Sequence, residues 1–255
     1  MTELTGRVLD ASSPGWDAAR HNFKAALDYG ELVPRCVVFC QDAQDVCNAV
    51  RFARENNLPL RARAGRHSYE GYSLVNDGVI VDVSELDMIR VDAKAGTARL
   101  GAGVYCIDLH EQLYDVGVTI PAASGASVGF AGLALGGGFG VTSRKYGLTC
   151  DNVIGVELVN AKGELIYASP AKNPDLYWAH RGGGGGNFGI VTAFDVTVKP
   201  IGSRSATSPG SGRASWPSST RSRSGGRPRP TTSPRSCGSR SATRTRTASS
   251  RCSDS

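Results

Sequence analysis

The sequence contains no Cys-x-x-Cys pair and no apolar run near the ~20 residues that a membrane span requires; after Gly202 it contains no leucine, isoleucine, valine, phenylalanine, tyrosine, methionine or lysine. The first absence argues against a zinc ribbon or a thioredoxin-type redox site. The second argues against a membrane-spanning helix. The N-terminus, Met-Thr-Glu-Leu-Thr-Gly, also lacks a basic segment followed by an apolar core, so no export signal is expected and a cytoplasmic setting is. Cysteine is present but odd in number, seven in all, with Cys36, Cys40, Cys47, Cys106 and Cys150 in the first 202 residues. Cys36 and Cys40 lie in an apolar run where a thiol acts as a small hydrophobe, so reduced, buried cysteines are expected. No histidine pair has metal-ligand spacing, so no metal is expected; His21, His110 and His180 read as surface residues.

The missing apolar residues set the domain limits. Residues 203–255 hold eleven arginines and one acid, Asp254, a net of +10. Subtracting that from the chain's formal +6 leaves residues 1–202 at −4. A basic total points toward nucleic acid, and an Arg/Ser-tailed nucleic-acid-binding protein is one alternative. The basicity is nevertheless confined to one end, and the body has the charge balance of an ordinary enzyme. A tail of Ser, Arg, Pro and Thr cannot bury enough apolar surface to offset the entropy of ordering it, so disorder is expected there. The absence of lysine and of any linker suggests out-of-frame translation of a GC-rich gene. The expected organisation is a helical lead-in over 1–30, one folded domain over 31–202, and the tail.

Within the body, residues 35–40 form an apolar run that reads as a buried strand. Asp42 then offers a helix cap, and Val46, Ala49, Val50 and Ala53 recur at helical spacing. Asn56, Asn57 and Pro59 end that helix. Residues 60–64 alternate Leu-Arg-Ala-Arg-Ala, a half-buried strand, so strand, helix and strand suggest a parallel pair. Residues 78–84 are a further strand. Residues 89–92 and 97–101 read as one hairpin, residues 153–160 and 164–168 as another. Residues 104–116 are helical, residues 174–179 are a short helix capped by Asn173, and residues 190–199 alternate as a strand. Mixed parallel and antiparallel signals give the class α+β.

Three glycine-bearing segments carry the chemistry. Residues 61–73, Arg-Ala-Arg-Ala-Gly-Arg-His-Ser-Tyr-Glu-Gly-Tyr-Ser, place His67 on a tight loop after a strand. Residues 127–140 hold six glycines in fourteen positions, and residues 182–189 hold a third cluster. Glycine lets backbone N–H groups approach a diphosphate and adopts the positive φ such loops use; the start of the second segment can open a helix toward phosphate. Tight turns or close strand packing explain such runs equally well. Gly101-Ala-Gly103 imitates a Rossmann fingerprint, but Cys106 stands where the third glycine belongs and no acid follows at the required distance.

Gly65-Arg66-His67-Ser68, Gly132-Leu-Ala-Leu-Gly-Gly-Gly-Phe-Gly140, Ser143-Arg-Lys-Tyr-Gly-Leu-Thr-Cys-Asp-Asn152, Asn173-Pro-Asp-Leu-Tyr-Trp-Ala-His-Arg-Gly-Gly and Asn187-Phe-Gly-Ile-Val-Thr192 together resemble the berberine-bridge-enzyme-like FAD-linked oxidases of the vanillyl-alcohol-oxidase superfamily. The resemblance runs from about Asp10 to Pro200. It implies a PCMH-type FAD-binding domain of two α+β subdomains, with FAD attached through His67. Arg63, Ala64, Gly65, Arg66, Ser68 and Tyr69 would line the pyrophosphate and ring. Ser127, Gly129, Gly132, Gly136, Gly137 and Gly138 would line the phosphates and ribityl chain. Gly189 and Val191 would add backbone contacts. Asp151 and Asn152 would lie near the adenosine, or would simply form a turn. Arg66 departs from the common Gly-Gly-His pattern; its guanidinium either reaches the pyrophosphate or crowds the loop. Bicovalent members carry a second, cysteine link, and Gly125 stands near that position, so a single link is expected. Tyr69 is the one candidate catalytic residue. The implied activity is hydride transfer from a C–H of an alcohol, sugar or secondary metabolite to FAD, with O2 as acceptor. The region that carries the substrate domain in full-length relatives is occupied by the tail, which leaves a non-catalytic FAD-binding remnant as a further alternative.

Overall fold

The computed structural model describes residues 2–24, 30 and 32–202. The basic segment 203–255, expected to be disordered, lies outside the described residues.

Two sheets share one core. The first is ordered β1-β2-β4-β3, from strands Arg7–Asp10 (β1), Cys36–Phe39 (β2), Leu60–Arg63 (β3) and Val79–Asp82 (β4). β2 and β3 both run parallel to β4, while β1 is antiparallel to β2. The parallel relation expected of β2 and β3 therefore holds, but they are not neighbours. β4 separates them because Val79, Ile80 and Val81 are wholly buried, whereas β3 is partly exposed and takes the edge. Val38, Val79 and Val81 belong to the main core, and Val37, Phe39 and Ile80 to a second cluster with Ala19, Leu74 and Val75. Cover on both faces is what a parallel sheet requires. The lead-in is not purely helical: it supplies β1 as well as helix α1 (Trp16–Arg20).

Helix α2 (Ala43–Glu55) fills the space between the sheets. Asp42 caps it, its carboxylate accepting the Asp45 N–H at 2.9 Å. The chain leaves it through Asn57 at φ 53°. Val46, Ala49, Val50 and Ala53 are buried as their spacing requires.

The second sheet, β5-β6-β10-β8-β9, is antiparallel throughout. Its strands are Ile89–Asp92 (β5), Thr97–Gly101 (β6), Val153–Val159 (β8), Leu165–Ala168 (β9) and Ile190–Thr197 (β10). Alternation divides its faces: Leu100, Val156, Leu158, Phe194 and Val196 enter the core, while Arg99, Glu157, Tyr167 and Asp195 make a polar network on the other face. Helices α3 (Cys106–Asp115), α4 (Phe130–Leu135), α5 (Ser143–Tyr146) and α6 (Pro174–Ala179) complete this half, with a short ladder between Val118–Thr119 (β7) and Lys199–Pro200 (β11). Both hairpins and the α+β class are as expected.

Of two local expectations, one holds only in part and one fails. Asn173 takes the N-cap position of α6 ahead of Pro174, but its side chain makes no capping bond; it sits at φ 52° with its amide donating to the Tyr167 carbonyl at 2.8 Å. His180 is not a surface residue but is 5% exposed, its Nδ1 2.7 Å from the Leu176 carbonyl, because α6 ends against the glycine-rich loop. His21 is half-buried just past α1, and His110 is half-buried with Nε2 3.0 Å from the Ala123 carbonyl. All five cysteines of the body are buried and unpaired. Burial pushes each thiol above its usual range, furthest at Cys40. No helix among the described residues is long and apolar enough to cross a membrane.

Candidate functional site

Beyond β3 the chain turns at Gly65, which packs backbone to backbone against Gly129 at the start of α4. A Cβ on Gly129 would lie 2.7 Å from the Gly65 nitrogen and 2.9 Å from its Cα, so only glycine fits. Arg66 follows at φ 61°. That left-handed backbone costs a side-chain-bearing residue about 1–2 kcal/mol, which explains why a second glycine suits this position.

The guanidinium groups of Arg63 and Arg66 both turn beneath the loop, toward α1 and Asp82. Arg63 is 2% exposed. Its Nε donates to Asp82 at 2.6 Å and its Nη2 to the Ala19 carbonyl at 2.6 Å, while Nη1 finds no acceptor among the described residues. Burial pushes the Arg63 guanidinium below its usual range and Asp82 opposes that; the group stays charged because it starts so high. Arg66 donates to the Ala18 carbonyl at 3.0 Å, lies 3.7 Å from Asp82 and stands over the Phe39 ring. The strand is not simply half-buried: Arg63 points into the cover that α1 places over this face.

His67 faces outward. Its Nε2 is 3.0 Å from both the carbonyl and the hydroxyl oxygen of Ser127, and the Phe23 ring lies 4.7 Å from the imidazole. A carbonyl only accepts, so Nε2 carries the proton and Nδ1 keeps the lone pair in the neutral ring. The Ser68 hydroxyl accepts the Tyr72 N–H at 3.0 Å and braces the turn. Tyr69 is 72% exposed, with the Lys24 ammonium 4.7 Å from its ring centroid. The amides of Gly65, Arg66, His67 and Ser68 have no acceptor among the described residues, nor do those of Ala131 and Gly132 in the first turn of α4.

Gly136 ends α4, and Gly137 and Gly138 follow at φ 98° and 71°. Their carbonyls accept the Cys150 and Thr149 amides, tying the glycine turn to the next segment. There Asp151 accepts the Leu148 N–H, and Asn152 donates to the Tyr146 and Leu148 carbonyls while accepting from Thr197. Both side chains are thus occupied in bracing a turn. Gly189, at φ 137°, sits against Leu158 and Val159, and Val191 is core. No hydrogen bond among the described residues joins these four to the His67 loop. Gly101 and Gly103 press on the backbones of Leu86 and Val83, so close packing accounts for that dipeptide pattern.

The structure thus brings together Ala64, Gly65, His67, Ser127 and Gly129, with α4 and its glycines beside them. Unpaired amides and a side-chain-free seam suit a diphosphate, and an outward imidazole suits a planar ring next to it; the donor set fits FAD. Sequence reasoning missed Phe23, Asp82 and the Ala18 and Ala19 carbonyls. The signal for Asp82 was a lone acid in an apolar strand. Phe23 had no signal beyond being an aromatic in a polar segment. Among the described residues no group of three His, Cys, Asp or Glu side chains could hold a metal ion.

Comparison with known proteins agrees with this geometry. Residues 34–169 match the FAD binding domain family. The uncharacterized FAD-linked oxidoreductase YgaK of Bacillus subtilis is 44% identical over 204 residues, 78% of this chain and 45% of YgaK. The crystal structure of 6-hydroxy-D-nicotine oxidase from Arthrobacter nicotinovorans superposes with a TM-score of 0.74 at 34% identity, covering 78% of this chain and 43% of that one. BBE-like 1 of Physcomitrella patens gives 0.73 at 37% identity, again over 78% and 43%. The chain therefore spans less than half the length of these relatives. Over the part it shares with them, it belongs to the FAD-binding domain family of the FAD-linked oxidoreductases, alongside the berberine-bridge-enzyme-like proteins.

Proposed function

We propose that the chain binds FAD in the seam between the His67 loop and α4, tethers it covalently through His67 alone, and serves an oxidase acting on a C–H of an alcohol, sugar or secondary metabolite. One observation carries this reading: a proton-bearing Nε2 held by Ser127 leaves the Nδ1 lone pair available beside a loop of unpaired amides. When bound, FAD supplies a two-electron acceptor that takes hydride from substrate and is reoxidised by O2 to give hydrogen peroxide.

The chain's own residues bind and orient. The amides of residues 65–68 and of Ala131 and Gly132 offer the diphosphate its hydrogen bonds. Gly65 and Gly129 keep side chains out of the seam. His67 would hold the cofactor through Nδ1 in place of one hydrogen of the ring's 8α-methyl group, and dioxygen would accept the two protons and two electrons released, giving hydrogen peroxide. The names of relatives support both a secondary metabolite and a sugar as substrate class: a nicotine-derived compound is named for one and glucose for another.

The test is purification of the full chain followed by acid precipitation. Yellow flavin absorbance should stay with the pellet, and His67→Ala should release all of it to the supernatant. A colourless protein that takes up no FAD on reconstitution refutes cofactor binding. Colour that remains acid-stable in His67→Ala refutes the tether. Anaerobic mixing with candidate amines and alcohols then reports whether the bound flavin is reduced, which separates an oxidase from a protein that only holds the cofactor.

A further inference from the structure

The end of α1 and the segment just beyond it make a series of separate contacts, all on the last residue of β3 or on the His67 loop. The Ala18 and Ala19 carbonyls accept from Arg66 and Arg63. The Phe23 N–H donates to the Arg66 carbonyl at 3.1 Å. The Asn22 amide donates to the Ser73 hydroxyl at 3.0 Å. The Lys24 ammonium lies over Tyr69, and the Phe23 ring lies against the His67 ring at 32° between planes. Phe23 is 60% exposed and belongs to neither core cluster, so packing of the fold does not explain its place.

We propose that residues 18–24 are a positioning strap for the His67 loop and that Phe23 is the positioning residue that sets the plane of the imidazole. The proposal rests on His67 being the attachment point for FAD. Its physical basis is division of labour. Ser127 fixes one edge of the ring through Nε2 but leaves rotation about that contact open. A ring stacked on one face removes that freedom and leaves the opposite face and Nδ1 clear. The two arginines anchor the strap from below: the last carbonyls of α1 lack intrahelical partners and carry partial negative charge, and guanidinium groups satisfy both needs. Through Asp82, which both arginines approach, the anchor is built into the first sheet.

The experiment compares the full chain with Phe23→Ala, Phe23→Leu and Phe23→Tyr. Two readouts are taken: the fraction of bound flavin that is acid-stable after a fixed reconstitution time, and hydrogen exchange at Gly71, Tyr72 and Leu74, whose amides are bonded within the loop. Phe23→Ala should slow attachment about two- to tenfold, the size of one aromatic pair, and should speed exchange at those amides while leaving the β6–β10 ladder unchanged. Phe23→Tyr should restore both, and Phe23→Leu should fall between. Attachment and exchange equal to the wild type in Phe23→Ala, an equal rise in the β6–β10 ladder, or failure of Phe23→Tyr to restore would each overturn the strap. If the wild-type chain itself holds no acid-stable flavin, the tether fails, and hydrogen exchange in the three variants still decides for or against the strap.

Discussion

Each sheet carries one arginine between acceptors, and the two behave as different devices. Arg63 and Asp82 are both completely buried as side chains, at 0% exposure. Arg99, between Glu157 at 2.7 Å and Asp195 at 3.1 Å, keeps 32% of its side chain in contact with solvent. Burial opposes the Arg99 charge, but Asp195 and Glu157 together outweigh it and hold the group above its usual range. At Arg63 burial wins. Water is the difference. Where it reaches, a broken pair is resolvated at little cost; where it does not, the remaining charge has nowhere to go. The buried pair lies beneath the His67 loop and ties it down, whereas the exposed network covers an open sheet face.

Breaking the buried pair should have the largest effect. Asp82→Ala strands Arg63 and should cost about 3–5 kcal/mol, read as a lower midpoint in urea. Arg63→Met combined with Asp82→Leu should recover most of it, and a double variant as unstable as Asp82→Ala would show that geometry rather than stranded charge is at stake. Next comes the seam itself. Gly129→Ala forces a methyl into the Gly65 backbone and should cost roughly 1–3 kcal/mol with a parallel loss of flavin retention. Flavin retention equal to wild type would place the cofactor elsewhere. On the second sheet Arg99→Ala should cost no more than about 1 kcal/mol and leave flavin content unchanged. A loss matching Asp82→Ala would erase the contrast.

The smallest effect is a pH dependence. Burial holds the His180 imidazole below its usual 6.5, with the Leu176 carbonyl opposing. In the window from about 6.5 down to the folded value, the unfolded chain binds the additional proton. The contribution is complete above that window and is lost as pH falls through it. Thermal melts at pH 7.5 and pH 5.5 should therefore separate more in the wild type than in His180→Gln.

What could be read from the sequence was local. The Asp42 cap and the two hairpins are each specified within a few neighbours, and the structure reproduces them; β10 forms where its alternation puts it, but Ile190 through Phe194 are all buried and two register shifts break the two-residue period. The strand order β2-β4-β3 was not legible, because the residues that decide it are forty positions apart. Arg63 was misread for the same reason. Alternation says which side chains share a face, not whether another element covers that face, and α1 covers this one. Arg66 could be recognised as a departure from glycine, yet only its φ and its Ala18 contact show why the loop is not crowded: the side chain turns away beneath it. Asp151 and Asn152 could be placed in a turn but not assigned to a ligand or a brace without their hydrogen bonds.

The meeting of Gly65 with Gly129 has a kinetic corollary. Side chains swing in nanoseconds or less, but this junction has none to swing. Widening the gap means shifting a strand end and a helix start together, a collective displacement on the microsecond-to-millisecond scale. A guest held on the amides beside this closed junction therefore rests on a floor that shifts only at the tempo of whole-backbone movement.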